Sequence, residues 1–152
     1  TQIANDNSES QIVLSGNLDD LDKLILVLKE NDIKNVKLPV SAPFHSSLMC
    51  NATAIMSEKL NNLNFDQGEN KLISNVTAKE ISNVDELKDL LITQIEHRVR
   101  WRESVINMIN NDVNHFIEIG PGKVLSGLVK RINKEVKINT INNQGDIETL
   151  EI

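Results

Sequence analysis

The stretch Phe116-Ile117-Glu118-Ile119-Gly120-Pro121-Gly122-Lys123-Val124-Leu125-Ser126-Gly127-Leu128 decides the fold class. Its first four residues form a β-type run, and Gly120-Pro121-Gly122 ends it. Beyond the turn, Val124, Leu125, Leu128, Val129 and Ile132 recur at helical spacing. A second β-type run, near Val136 to Ile141, precedes a polar tail. Strand, helix and strand joined by short connections predict an α/β fold, with a mainly parallel sheet in at least this second half.

The same reading extends upstream. Gln11 to Ser15 is a short β-type run closed by Gly16, and Leu18, Leu21, Leu24, Ile25 and Leu28 predict an amphipathic helix over 18–30. Asn17 suits its cap, and Asp19, Asp20 and Asp22 suit the positive end of its dipole. Val36 to Val40 reads as a strand weakened by Pro39, which lacks a ladder donor. Ser41 to Ser47 is a loop leading into a helix over 46–61, whose Leu48, Ala52, Ile55, Met56 and Leu60 are expected to form a buried stripe. Leu72 to Val76 reads as a strand, 84–97 as a helix capped by Asn83, and the segment from Trp101 to Ile109 as a shorter helix.

Composition narrows the function. The chain has 152 residues, 16 basic against 22 acidic, for a net charge of −6. That size is one ordinary domain, able to bury a core without a disulfide or metal. The acidic balance argues against nucleic acid as a partner, and 3% aromatics argue against base stacking. No apolar run approaches the roughly 20 residues of a membrane span. A single cysteine, Cys50, excludes a disulfide framework and fits a reducing cytosol, so a cytoplasmic setting without membrane attachment is expected.

The histidines are His45, His97 and His115, and none has metal-ligand spacing to another or to a Cys or carboxylate cluster, so no metal site is expected. His97 and His115 read as surface or capping residues. His45 lies in a loop between a strand-like run and a helix, where function concentrates. Ser46 and Ser47 read as helix caps rather than nucleophiles, because a Gly-x-Ser-x-Gly elbow is absent from these residues. Gly120-Pro121-Gly122-Lys123 invites an anion-binding reading but lacks the phosphate-loop spacing, so a tight strand-to-helix turn is the plainer one. Arg98, Arg100 and Arg102 around Trp101 form a basic knot, ordinarily a solvated helix start, with the reach to steer an acidic partner.

Several strings, in order, carry a resemblance. They are Ala4-Asn5-Asp6-Asn7, Gln11 to Gly16, Pro39-Val40-Ser41-Ala42-Pro43-Phe44-His45-Ser46-Ser47-Leu48-Met49, Ile73-Ser74-Asn75-Val76-Thr77, Gln94, Val99-Arg100-Trp101, Ser104-Val105 and Glu118 to Leu128. Together, from residue 2 to 133, they resemble the malonyl-CoA:acyl carrier protein transacylases of type II fatty acid synthesis. The resemblance implies a serine nucleophile, activated by a histidine, that carries malonyl from coenzyme A to the phosphopantetheine thiol of acyl carrier protein without a further cofactor. His45 matches that histidine, and Gln94 the residue whose backbone carbonyl orients it. That carry-over leaves the side chain at 94 free to vary. Asn5 and Asn7 match a stretch near the acyl and thiol groove. Phe44-His45 follows the pattern of malonyl-type members.

The nucleophile elbow, the carboxylate-pairing arginine and the oxyanion-hole glutamine of that family have no counterpart in these residues. The resemblance therefore implies a fragment, the C-terminal half of such an enzyme, beginning at Thr1 as if cut through a lobe. Residues 1–40 would be part of a small ferredoxin-like lobe, and 41–152 the C-terminal part of a larger hydrolase-like lobe with a parallel sheet. The expected partners are malonyl-CoA, acyl carrier protein and a separate N-terminal half. A non-catalytic module docking acyl carrier protein is the competing reading, and a nucleotide-binding α/β domain resting on the Gly-Pro-Gly turn stands behind it.

Overall fold

The structure, a computed structural model, describes residues 1–150; Glu151 and Ile152, the end of the stretch read as 41–152, lie outside the described residues. It is a mixed α/β protein with two small sheets. The chain opens with an antiparallel hairpin of β1 (Gln2–Ser8) and β2 (Gln11–Ser15). β1 is absent from the hydrophobic pattern because its buried face is Ala4, Asp6 and Ser8, small or polar side chains that leave no apolar alternation to read. Helix α1 (Leu18–Glu30) follows with the expected bounds, its first turn closed by Asp19 N–H donating to Asn17 Oδ1 at 2.9 Å.

Two expected strands do not form. Over Val36 to Val40, Val40 N–H turns back onto the Leu38 carbonyl at 2.8 Å around Pro39, and Val36, Leu38 and Val40 stay exposed. With no ladder partner among the described residues, the β-type side chains are not enough. Over Leu72 to Val76, one bridge between Ile73 and Glu80 is all that remains. Here the Ser74 hydroxyl accepts from the amides of Val76 and Thr77 at 3.1 and 3.4 Å, offering the backbone a turn instead of a ladder.

The helix expected over 46–61 starts as a 3₁₀ turn (Ser47–Met49) before α2 (Cys50–Asn61). Its expected buried stripe is instead largely open: Leu48, Ile55 and Met56 are exposed. Helix α3 (Val84–Thr93) is capped by Asn83 as expected, through Glu86 N–H at 2.9 Å, and ends four residues before the expected 97. Helix α4 (Trp101–Asn110) leads to strand β3 (His115–Ile119), helix α5 (Val124–Ile132) and strand β4 (Lys137–Ile141). β3 and β4 pair in parallel from His115 opposite Lys137 to Ile119 opposite Ile141, so the strand–helix–strand unit forms as read. The expected polar tail contains a further helix, α6 (Gln144–Glu148), held by a capping box between Asn143 and Asp146.

The best-buried apolar cluster is Val105 of α4, Val129 of α5 and Val136, ringed by Trp101, Met108, Ile109, Phe116, Ile132 and Ile138. β1 packs against α4 and α5 and is tied to residue 99 by Val99 N–H to Ala4 O at 2.7 Å and Asp6 N–H to Val99 O at 2.9 Å. Among the described residues, no helix is long and apolar enough to cross a membrane.

Candidate active site

His45 sits between Pro43 and the 3₁₀ turn, half-buried, with φ at 57°. A left-handed residue with a side chain needs its neighbours fixed. Ser46 supplies part of this: it is 1% exposed, and its hydroxyl donates to the Pro43 carbonyl at 2.6 Å. The expected capping role for Ser46 does not hold, since its side chain makes no cap bond. Nor does Ser47 cap through its side chain; its N–H donates to Gln2 Oε1 at 2.7 Å, pinning the loop to β1. Nothing in the sequence pattern marked Gln2.

The loop meets the end of α3. A helix leaves its last carbonyls without intrahelical partners, and here side chains reach the carbonyls around the end of α3. Thr93 Oγ1 donates to Asp89 O at 2.7 Å, and His97 Nδ1 lies 2.8 Å from Thr93 O. The Gln94 carbonyl lies 2.9 Å from His45 Nδ1, joining residues 49 apart in the chain. A carbonyl only accepts, so Nδ1 carries a proton, and in the neutral ring Nε2 keeps its lone pair. Among the described residues Nε2 makes no hydrogen bond, and His45 lines an open groove of about 400 Å³ with Gln2, Ile3, Ser47, Glu96, His97 and Arg98. The geometry is that of a half-buried imidazole oriented on one side and free to exchange a proton on the other.

The Gln94 side chain is also engaged, with Oε1 accepting from Asn75 Nδ2 at 3.2 Å. Asn5 and Asn7 lie half-buried on β1, offset by one residue from the inward Ala4, Asp6 and Ser8, and neither lines the groove. His115 Nε2 lies 2.7 Å from Asn139 Oδ1, across the β3–β4 pair and away from His45.

Much of the basic knot is spent internally. Arg102 pairs with buried Asp6 at 3.0 Å. Arg100 pairs with Glu103 and faces the Val76 and Thr77 carbonyls at 3.5 and 3.4 Å. The Arg100 contact above all holds the Glu103 carboxyl below its ordinary value. Arg98, the most exposed of the three, keeps a looser contact to Glu103 at 3.5 Å.

The Gly-Pro-Gly turn is likewise filled. Gly120 and Gly122 take φ of 138° and 95°, conformations side chains rarely adopt. Gly122 N–H donates to Asn142 Oδ1 at 2.5 Å. At the start of α5, the Leu125 and Ser126 amides donate to the Glu118 carboxylate at 3.1 and 2.7 Å, where an anion would otherwise sit. Among the described residues no group of three or more His, Cys, Asp or Glu is placed to hold a metal, and Cys50 is a free, exposed thiol.

No family model matches the chain. Individual relatives do. Over 152 residues it is 40% identical to the malonyl CoA-acyl carrier protein transacylase of Bacillus subtilis, covering 99% of this chain and 47% of the relative. The protein of the same description from Synechocystis is 34% identical over 148 residues, 97% of this chain and 50% of its own length. Among solved structures, acyl-carrier-protein-S-malonyltransferase from Bartonella henselae matches with a TM-score of 0.92 at 42% identity, covering 97% of this chain and 48% of that one. The chain spans about half the length of the relatives it matches. Alike in sequence and fold along almost its whole length, it is a homologue of the malonyl CoA-acyl carrier protein transacylases and corresponds to about half of one.

Proposed function

We propose that this chain is the C-terminal half of an acyltransferase that moves a malonyl group from coenzyme A to the phosphopantetheine thiol of acyl carrier protein, and that His45 is its proton carrier. One observation carries the reading: the imidazole is oriented through Nδ1 by the Gln94 carbonyl, with Nε2 open to the groove. In the reaction, Nε2 takes the proton of a serine hydroxyl as its oxygen attacks the malonyl thioester carbonyl. The C–S bond breaks and the proton passes to the departing coenzyme A thiolate. The second half reverses the roles: the carrier thiol gives its proton to Nε2, its sulfur attacks the serine ester, and the serine oxygen leaves and recovers the proton.

The serine, the carboxylate-pairing arginine and the oxyanion donors belong in this reading to the other half of the enzyme. Asn5 and Asn7 are assigned to the substrate side, supported by their half-open positions on the strand whose Gln2 and Ile3 line the groove. Residues 1–40 are assigned to a small ferredoxin-like lobe and 41–152 to a hydrolase-like lobe, with the exposed, irregular stretch around Val36 to Val40 as the link. No cofactor beyond the two substrates enters the scheme, and the setting is cytoplasmic.

The test is complementation. The chain, co-expressed with an upstream half bearing a Gly-x-Ser-x-Gly elbow, is expected to transfer malonyl, and His45→Ala to cut that rate about a thousandfold or more. The chain alone is expected to transfer none. Equal rates with and without the His45 side chain would sink the assignment.

A further inference from the structure

The segment Ile73-Ser74-Asn75-Val76-Thr77 has no part in the scheme above, yet it is tied down by several hydrogen bonds. Ser74 is 5% exposed, and its carbonyl accepts from Ala78 N–H at 2.8 Å. Its hydroxyl takes two further amides, from Val76 and Thr77. Ala78 is buried with φ at 57°, and Asn107 Nδ2 donates to its carbonyl at 2.9 Å. Asn75 itself accepts at its carbonyl from Arg100 N–H at 2.8 Å. Its backbone is therefore fixed from both sides, and its carboxamide reaches Gln94 Oε1 at 3.2 Å.

Gln94 needs such a hold. It is the residue at which α3 stops: Gln94 N–H still reaches Leu90 O at 2.9 Å, but Ile95 and Glu96 fall back to longer bonds with the carbonyls three residues earlier, Ile92 O and Thr93 O, at 3.2 and 3.3 Å. Helix ends of this kind fray, so the helix alone does not fix the carbonyl on which His45 depends. A side-chain bond from a rigid turn does.

We propose that Asn75 is a positioning residue: its carboxamide anchors Gln94, and through the Gln94 carbonyl keeps His45 in the Nδ1–H form with Nε2 free. The proposal rests on the reading of His45 as the proton carrier. It also gives the Gln94 side chain a task, so Gln94→Ala, which leaves the carbonyl in place, is expected to loosen the histidine as Asn75→Ala does. Because one bond is lost from either end, the double variant is expected to behave like each single one. Asn75→Asp restores the bond once the Gln94 amide turns over and donates its NH₂ to the new carboxylate.

Two readouts decide it. The first is the ¹⁵N spectrum of the His45 ring in the full chain, which separates the two neutral tautomers. Asn75→Ala and Gln94→Ala are each expected to raise the Nε2–H population, and Asn75→Asp to return it. The second is kcat of the complemented enzyme, expected to fall about fivefold in either alanine variant, the loss of one ordinary hydrogen bond, with KM held within about twofold. Should Asn75→Ala fail to fold, Gln94→Ala and Asn75→Asp carry the comparison. Unchanged tautomers and kcat in these variants, alongside a dead His45→Ala, overturn the proposal and leave His45 as the base. An active His45→Ala instead removes the reading beneath it, and the tautomer spectrum alone then decides whether Asn75 orients the ring: a shift supports this, and an unchanged spectrum overturns it.

Discussion

His45 holds a left-handed backbone conformation that costs a residue with a Cβ on the order of 1 kcal/mol, so what surrounds it must over-determine it. Ser46 is the nearest contributor. Its buried hydroxyl donates to the Pro43 carbonyl, and its own carbonyl accepts from Met49 N–H at 3.0 Å, spanning the loop before and after the histidine. Ser46→Ala keeps the second bond and deletes the first, leaving the Pro43 carbonyl without that donor. We expect a loss of about 1 kcal/mol in stability, read from urea melts, and faster exchange of the Ser47 and Met49 amides. An Ala variant with the wild-type midpoint and unchanged exchange would mean that the hydroxyl does not hold the loop.

At the level of elements, α5 shows how a short helix is started without a serine or asparagine cap. The Glu118 carboxylate, on the preceding strand, takes the first free amides of the helix. Ser126 above all holds the Glu118 carboxyl below its ordinary value of 4.5. A carboxyl whose folded value is depressed stabilises the fold fully above its unfolded value, and loses that contribution as pH falls through the folded one. Glu118→Gln is therefore expected to cost roughly 1 kcal/mol at pH 7, as a lost cap does. Its deficit should shrink on acidification below about pH 4.5. Urea melts at pH 7 and pH 3 check this, and a constant deficit at both would exclude a charged cap. Elements with such local signals were legible: α1 carries its own Asn17 cap and apolar stripe, and the β3–α5–β4 unit its Gly-Pro-Gly turn. Elements made by distant partners were not. β1 pairs with its neighbour β2, but the partners of its polar buried face, Val99 and Arg102, come from about a hundred residues away, while Val36 to Val40 has strand-like side chains and no ladder partner among the described residues. The site divides the same way. His45 is marked by its loop, but its pairing with Gln94 follows from family resemblance, and the contacts of Asn75 and Gln2 emerge only when the chain is folded.

On the scale of the whole molecule, the apolar surface is unevenly covered. Ile119 is 79% exposed on β3, and Val124, at 73%, starts α5. Phe44, Leu48, Ile55 and Met56 are open along the His45 loop and α2. A strand edge left unpaired is ordinarily covered or blunted, and here β3 has β4 as its sole strand partner among the described residues. Side chains of this kind, gathered near a groove and along a sheet, mark a surface built to be covered. The half-length match to the transacylases names the cover in our proposal: the other half of the enzyme. The chain alone is accordingly expected to bind the dye ANS. Adding the complementary half should suppress the dye signal and raise the unfolding midpoint by roughly 5 °C or more, because anything that binds only the folded form stabilises it. Dye fluorescence and a thermal scan, each with and without the added half, make the measurement. A chain that excludes dye and gains nothing from its complement would show these faces to be finished surface, and the two-part enzyme would fall with them.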